Sequence, residues 1–206
     1  MKNPLLYQRT EYDCGPTSIL NAISYLFERD DIPPDVIKTI TLYCMDSYDN
    51  KGNVGKNGTS QMAMVFISGW LNHFAGIKQF SVQTEYLAKN DVVLAPGSKI
   101  DSAIKQGGAV VARVMYGCWH YVLITGARDG KAYLFDPYYR KRPFTFEGLE
   151  IIDGQPTKAN RAVPFTQMNR EDKSPYAFGK SDLREAVIFY NTKTKKRYEP
   201  VIEYFI

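Results

Sequence analysis

Apolar residues in the first part of the chain recur every three or four positions, which is the period of an amphipathic helix. The first run follows Asp13, a candidate N-cap, and contains Ile19, Leu20, Ile23, Leu26 and Phe27. Pro33 and Pro34 interrupt it. Because proline suits the first turn of a helix, Pro34 is expected to open a second helix that reaches about Met45.

A third helix is expected after a polar loop at 46–58 that is rich in glycine, asparagine and lysine. Thr59 or Ser60 can cap it, and Gly76 is expected to close it. Its apolar positions keep the helical spacing: Met62, Phe66, Ile67, Trp70, Leu71 and Phe74. The first part of the chain is therefore predicted to be helical.

The period changes in the second part of the chain, where alternation typical of strands replaces helical spacing. Phe80, Val82, Thr84 and Tyr86 alternate in this way, and a short helix is expected from a capping box at 98–101 to Gly107. Residues 140–182 are predicted to be irregular. The further predicted strands are 109–116, 120–127, 131–138, 184–191 and 198–206. Helices followed by antiparallel strands predict an α+β fold, in a single domain over 1–206.

Composition narrows the function classes. The chain has 206 residues, 44% of them apolar and 23% charged, as in an ordinary globular protein. The net charge of +4 comes from 140–206, and its basic clusters are interpreted as solvated loop and strand ends, so no nucleic-acid partner is expected. No membrane span or export signal is expected, and three widely spaced cysteines fit a reducing cytoplasm.

Cys14 lies at the expected start of the first helix. Backbone N–H groups lack helical acceptors there, and the positive end of the helix dipole favours a thiolate, the nucleophilic form of cysteine. Gly15 leaves the sulfur approachable, whereas the Asp13 carboxylate opposes the dipole. Cys14 is therefore the candidate nucleophile, and Cys44 and Cys118 are interpreted as packing residues.

A thiol hydrolase also needs a base, and the chain contains two histidines. His73 falls on the flank of the third predicted helix, where a surface position is expected. His120 opens a predicted strand after a tight turn, where its side chain can lean into a cleft. His120 is therefore the candidate base.

Asp136, at the end of the next predicted strand, is the candidate residue that orients His120. Whether the two side chains share a face depends on the hairpin loop between their strands. A two-residue turn at 129–130 would turn Asp136 to the other face. A three-residue loop at 128–130 would place it opposite Val122, on the face of His120. The three-residue loop, or another of odd length, is therefore predicted.

Gln8 precedes Cys14 by six residues, and its amide can donate a hydrogen bond toward the atom that Cys14 attacks. With the backbone N–H of Cys14 it would form an oxyanion hole. The sequence contains no phosphate-binding loop, dinucleotide fingerprint or CxxC pair. No metal or organic cofactor is therefore expected.

A resemblance to the C39-like peptidase family of papain-like cysteine proteases rests on four elements in order: Gln8, Asp13-Cys14-Gly15-Pro16, His120 and Phe135-Asp136-Pro137. It spans residues 5–140, and 140–206 is expected to be a divergent extension of the same domain. The resemblance implies a papain-like fold in which the Cys14 helix packs on an antiparallel sheet bearing His120 and Asp136. It also implies the roles of nucleophile, base, orienting acid and, for Gln8, oxyanion donor.

Three functional interpretations remain open. The first is a cysteine peptidase acting on a peptide or protein through a Cys14 acyl-enzyme. The second is an amidase or acyl transferase with the same site, since an acyl thioester can pass to an amine as readily as to water. The third is a catalytically silent module that binds peptides, although every catalytic position is filled. Substrate choice is expected to depend on the 46–58 loop and the 140–206 tail.

Overall fold

The computed structural model describes residues 3–196. A seven-stranded sheet lies at its centre, and every neighbouring pair of strands is antiparallel. The strands are β1 (Val82–Ala88), β2 (Ala109–Tyr116), β3 (Cys118–Arg128), β4 (Lys131–Phe135), β5 (Glu150–Ile151), β6 (Arg161–Pro164) and β7 (Glu185–Asn191). Their order across the sheet is β1-β7-β2-β3-β4-β6-β5. The helices are α1 (Cys14–Leu26), α2 (Pro34–Tyr43), α3 (Gln61–Lys78), α4 (Lys99–Lys105) and α5 (Phe165–Met168).

The three helices predicted for the first part of the chain are confirmed, with small shifts at their ends. Pro34 opens α2, which ends at Tyr43 and so falls short of the predicted end. Ser60 caps α3 by accepting a hydrogen bond from the N–H of Ala63. That helix continues past its predicted end because the left-handed residue that terminates it is Gln79 (φ 54°).

Both faces of the sheet are covered, because successive side chains of a strand point to opposite sides. One hydrophobic core joins strand residues such as Val111 and Leu123 to the apolar faces of α1, α2 and α3. The second joins Val110 and Val122 to α4 and to the chain after β4. The α+β architecture, with the N-terminal helices packed on an antiparallel sheet, is as predicted.

The segment expected to be irregular, 140–182, contains more regular structure than predicted. It forms β5, β6 and α5, and β6 pairs with β4 to extend the sheet. Strands of two and four residues are too short to show an alternating pattern, which explains why the sequence missed them. The strand predicted at 198–206 lies outside the described residues.

The turn of the β3–β4 hairpin corrects the sequence prediction. Arg128 pairs with Lys131, so the loop has two residues rather than three. Its residues, Asp129 (φ 52°) and Gly130 (φ 71°), both lie in the left-handed region. Such a turn matches the right-handed twist of the flanking strands, and Asp-Gly is a favoured pair for it. The predicted three-residue loop is therefore wrong.

A β-bulge restores the register that the predicted loop would have given. The register shifts between Ile124 and Gly126, so that Leu123 pairs with Phe135. A bulge adds one residue to one strand, and side chains beyond it exchange faces relative to the partner strand. Asp136, which follows Phe135, therefore lies on the face of His120, as predicted.

A buried hydrogen bond joins α1 to β3. The hydroxyl of Ser18 donates to the carbonyl oxygen of Tyr121 over 3.0 Å. Ser18 lies one turn beyond Cys14, and Tyr121 directly follows His120. The bond therefore fixes the N-terminus of α1 relative to the start of β3.

We expect Ser18→Ala to lower the free energy of unfolding by about 1 kcal/mol, because a buried hydrogen bond is lost. Ser24→Ala is the matched control, since Ser24 lies in the same helix and its hydroxyl has no hydrogen-bond partner within residues 3–196. Urea denaturation of both variants measures the difference. Equal losses of stability would mean that the bond to Tyr121 contributes nothing.

Candidate active site

Cys14 is the first residue of α1, and its side chain is buried. Asp13 is the N-cap residue, but its carboxylate makes no capping bond. It accepts instead the backbone N–H groups of Arg9 and Thr10 and the hydroxyl of Thr10. Asp13 is thus the N-cap residue by position, as predicted, although its carboxylate binds the preceding segment rather than the first turn of α1.

The environment of Asp13 also bears on its charge. Burial alone would raise the pKa of this carboxyl, but the hydrogen bonds from Arg9 and Thr10 lower it below its usual value. The carboxylate is therefore ionised, and its charge is stabilised by hydrogen bonds from the segment that precedes the helix.

His120 and Asp136 form a buried pair, in which Nε2 of the imidazole lies 2.7 Å from Oδ1 of the carboxylate. The His120 side chain is 7% exposed and that of Asp136 is fully buried. Because Nε2 is used by the carboxylate, Nδ1 is the ring nitrogen left for Cys14, whose side chain is near enough to help raise the pKa of the imidazole. The structure therefore brings together the three side chains that the sequence predicted.

Electrostatics in this pair favour the charged forms. Burial alone would lower the pKa of His120, but the Asp136 carboxylate and the Cys14 side chain outweigh it and raise the pKa to about 10. Burial likewise opposes ionisation of Asp136, whereas the imidazolium and three hydrogen-bond donors hold the pKa of its carboxyl below the usual value. The pair is therefore an imidazolium and a carboxylate at neutral pH.

Two residues that sequence reasoning missed support Asp136. The side-chain amide of Asn160 accepts the backbone N–H of Asp136 over 2.7 Å and donates to its carbonyl oxygen over 2.8 Å. The hydroxyl of Tyr176 donates to Oδ2 over 2.6 Å, and the backbone N–H of Tyr138 donates to Oδ1 over 2.8 Å. Asn160 and Tyr176 belong to the segment expected to be irregular, and a single sequence carries no signal for them.

Gln8 lies in the same cleft as Cys14 and His120. Its backbone N–H donates to the carbonyl oxygen of Pro137 over 2.9 Å, which ties its segment to the residue after Asp136. The side-chain Nε2 donates one hydrogen bond to the carbonyl of Thr10 and retains a second N–H. A role of this amide as oxyanion donor stays a prediction.

The cleft beside Cys14 has a volume of about 700 Å³. Its walls include five aromatic side chains, those of Tyr12, Tyr116, Trp119, Tyr121 and Tyr138. The side-chain oxygens of Gln8 and Thr59 are buried in the structure and have no hydrogen-bond partner among residues 3–196. The cleft thus combines aromatic surfaces with polar side chains whose oxygens are buried in its wall.

The loop at 46–58 is anchored beside the candidate nucleophile. Its base is closed by the carboxylate of Asp46, which accepts the backbone N–H and the hydroxyl of Ser60. Thr59 packs so closely on α1 that a Cβ added to Gly15 would lie 2.1 Å from its Oγ1. Glycine at position 15 therefore allows the loop to approach the cleft.

An ionic network borders the cleft and was also missed from the sequence. The fully buried carboxylate of Glu185 lies 3.0 Å from a terminal guanidinium nitrogen of Arg113 and accepts the hydroxyls of Tyr121 and Tyr86. Trp119 stacks on this guanidinium, whose central carbon lies 4.4 Å from the centroid of the Trp119 ring. Burial and the Glu185 charge raise the pKa of Tyr121 well above its ordinary value, so its hydroxyl stays a donor.

The other sequence-based assignments divide. Cys44 is fully buried, and burial raises the pKa of its thiol to about 12, which fits the predicted packing role. His73 is exposed on α3, as predicted. Cys118 is exposed and lines the cleft, so its predicted packing role is wrong. The tight turn at Gly117 (φ 77°) puts it at the strand's exposed end.

Within residues 3–196, no group of three or more potential ligands could hold a metal ion.

Comparison with known proteins places the chain in a family. The family model described as "Peptidase_C39 like family" matches residues 2–148, and the chain belongs to that family. A crystal structure of a double glycine motif protease from an AMS/PCAT transporter, in complex with the leader peptide, is 14% identical, with a TM-score of 0.46 over 92% of this chain and 91% of that chain. None of the curated proteins matches.

Family membership and the architecture together define a papain-like peptidase fold. The matched region contains Gln8, Cys14, His120 and Asp136 and ends before Asn160 and Tyr176. None of the helices in the part of the chain that the structure describes is long and apolar enough to cross a membrane.

We expect Asp136→Asn to lower the pKa of His120, because the neighbouring negative charge is lost while the ring stays buried. An NMR titration of the imidazole signals measures the change. His73, exposed on α3, is the internal control, and its signals should be the same in both proteins. An unchanged His120 titration would contradict the pairing.

The same variant should change how stability depends on pH. The raised pKa of His120 stabilises the fold fully below pH 6.5, and this stabilisation is lost as the pH rises through about 10. The lowered pKa of Asp136 stabilises the fold above pH 3.8 and ceases to do so as the pH falls below that value. The destabilisation by Asp136→Asn should therefore be greatest between about pH 3.8 and pH 6.5, and it should shrink as the pH rises toward 10.

Proposed function

We propose that this chain is a cysteine peptidase that cleaves a peptide bond through an acyl-enzyme on Cys14. The observation that carries the proposal is the buried His120–Asp136 pair, with its 2.7 Å contact and its second ring nitrogen left for the Cys14 sulfur. Membership in a peptidase family supports the same reaction class.

The first half of the reaction follows from the charges. A protonated His120 stabilises a thiolate on Cys14, as does the N-terminus of α1. The thiolate attacks the carbonyl carbon of the scissile bond, and the oxygen that becomes negative accepts hydrogen bonds from the Cys14 N–H and the free N–H of Gln8. His120 then gives its proton to the leaving amine, and a thioester remains on Cys14.

The second half uses the same groups in reverse. Neutral His120 removes a proton from water, the hydroxide attacks the thioester carbon, and the carboxylic acid leaves as the C–S bond breaks. Asp136 accepts Nε2–H throughout, so the ring keeps the orientation in which Nδ1 faces the sulfur. The proton that His120 gave to the amine is thus replaced by one from water, and the thiolate–imidazolium pair is regenerated.

A peptide chain suits the cleft as substrate. The carbonyl oxygen of its scissile bond can accept the second side-chain N–H of Gln8, and its side chains can pack on the aromatic residues of the cleft. Thr59 continues the anchored loop at 46–58, so this loop takes part in substrate choice. The tail contributes by supporting two lining residues, because Gly179 packs closely on the Trp119 ring and Arg161 donates to the carbonyl oxygen of Tyr138 over 3.3 Å.

We expect iodoacetamide at about pH 6 to alkylate Cys14 at least about tenfold faster than Cys118, although Cys118 is the exposed residue. An unperturbed thiol with a pKa of about 8.5 is less than about 1% thiolate at that pH, so exposure alone cannot give fast labelling. Mass spectrometry of the labelled protein measures both rates. His120→Ala should remove the difference, and faster labelling of Cys118 than of Cys14 would refute the proposed thiolate.

Cleavage itself can be assayed with a mixture of unstructured peptides, and new termini can be read by mass spectrometry. We expect Cys14→Ser and His120→Ala to abolish cleavage. Gln8→Ala should slow it about 10²–10³-fold without changing the alkylation rate of Cys14, because an oxyanion donor acts after the thiolate has formed.

Products that carry an added amine instead of water would identify an acyl transferase. Fast alkylation without any product would identify a binding module.

A further inference from the structure

One hydrogen bond to the Asp136 carboxylate comes from a residue that lies beyond the family-matched region. The match ends at residue 148, whereas Tyr176 reaches the buried carboxylate from the following segment, with its hydroxyl 2.6 Å from Oδ2. The other oxygen, Oδ1, is bound by His120 and by the backbone N–H of Tyr138. The two oxygens of the carboxylate therefore have separate sets of partners.

We propose that Tyr176 is a positioning residue of this site, whose hydroxyl keeps the Asp136 carboxylate ionised and turned so that Oδ1 accepts Nε2–H of His120. The inference rests on the proposed peptidase function. It assigns part of the catalytic centre to the tail that follows the family-matched region.

The burial of Asp136 makes the hydroxyl important. Its side chain is fully buried, and within residues 3–196 the Tyr176 hydroxyl is the one hydrogen-bond donor to Oδ2. A buried carboxylate oxygen without a donor is costly. Without the hydroxyl, the carboxylate would rotate away from His120 or take up a proton, and in either case the imidazolium would lose its counter-charge.

Tyr176 is itself held rigidly. Its backbone N–H donates to the carbonyl oxygen of Met115, and the N–H of Met115 donates to Ala177, both over 2.7 Å. The ring is fully buried and packs on Tyr116 and Phe144, with ring centroids 5.3 and 5.7 Å away. The hydrogen bonds with Met115 attach the Tyr176 backbone to β2, so the position of the hydroxyl is fixed by the sheet.

The backbone of Tyr176 is in an unfavourable conformation. Its φ of 65° lies in the left-handed region, which a bulky side chain seldom adopts. Such conformations persist where surrounding structure enforces them, and they cluster at functional sites. A ring that only filled the core could be placed by ordinary backbone, so the strain is consistent with a requirement for this hydroxyl at this position.

Other ionisable groups surround the pair from several elements. Cys14 faces His120 from α1, and Tyr116 and Arg161 approach Tyr176 from β2 and β6. Burial and the Asp136 charge raise the pKa of Tyr176 well above its ordinary value, while Arg161 opposes this. Tyr176 therefore remains a neutral donor across the working range of the site.

The test is the pH dependence of Cys14 alkylation by iodoacetamide in the full chain, with and without Tyr176→Phe. Phenylalanine keeps the ring and removes the hydroxyl, so Asp136 should protonate at higher pH. We expect the acid limb of the rate profile to move to higher pH and the rate there to fall about tenfold, with less than about twofold change near neutrality. Tyr190→Phe, in the same core but without a bond to the pair, should keep the wild-type profile.

The outcomes separate the two proposals. Wild-type labelling that shows no preference for Cys14 would refute the peptidase function and this inference together. Preferential labelling with the same profile in Tyr176→Phe would refute this inference alone. A lower melting temperature of the variant without any movement of the acid limb would mean that the hydroxyl is only structural.

A second measurement needs no variant of Tyr176. A hydroxyl proton bound to a buried carboxylate should exchange slowly and give a downfield NMR signal in the wild-type protein. Asp136→Asn should move that signal upfield, because the charged acceptor is lost. A hydroxyl proton that exchanges rapidly in the wild type would overturn the inference even if Tyr176→Phe does not fold.

Discussion

The buried contact between His120 and Asp136 is the interaction on which the rest of the site depends. Removing two charges from water is expensive, and their mutual attraction offsets that cost only when the geometry is good and the remaining lone pairs are satisfied. Here the carboxylate has donors on both oxygens, and the nearby Cys14 side chain helps to raise the pKa of the imidazole. The pair is thus stable because of its neighbours, and it holds a positive charge beside the sulfur.

The sheet and the N-terminal helix bring this pair to Cys14. The bulge in β3 sets the face on which Asp136 lies, and the Ser18–Tyr121 hydrogen bond fixes α1 against the same strand. A shift of one residue in either register would separate the groups, since strand side chains alternate between faces. The geometry of the candidate site therefore depends on backbone pairing at some distance from Cys14, His120 and Asp136.

The tail has a larger part in the site than its lack of family pattern indicated. Asn160 forms hydrogen bonds with the backbone N–H and the carbonyl oxygen of Asp136. The segment around Tyr176 pairs with Met115 near the C-terminal end of β2. Glu185, at the start of β7, neutralises Arg113 at the rim of the cleft. The family-matched region thus supplies the candidate catalytic groups, while the residues after it hold Asp136 and Arg113 in place.

The sequence alone determined the elements with long periodic patterns and the identity of the four candidate groups. A cysteine at a helix start, a histidine at a strand start and a glutamine six residues upstream are local features, and local features can be read from one chain. Even the face of Asp136 was predicted, although through the wrong loop. The structure reached that face by a two-residue turn and a bulge, and β3 is buried on both faces, so its sequence has no alternation whose phase a bulge could shift.

Only the tertiary structure decided which distant residues complete the site. Asn160 and Tyr176 meet Asp136 because β6 joins the sheet beside β4 and because the chain returns to the end of β2. Cys118 became exposed because a one-residue turn placed it at the cleft. Contacts between residues far apart along the chain are set by sheet pairing and packing, and neither is encoded in the spacing of any short segment.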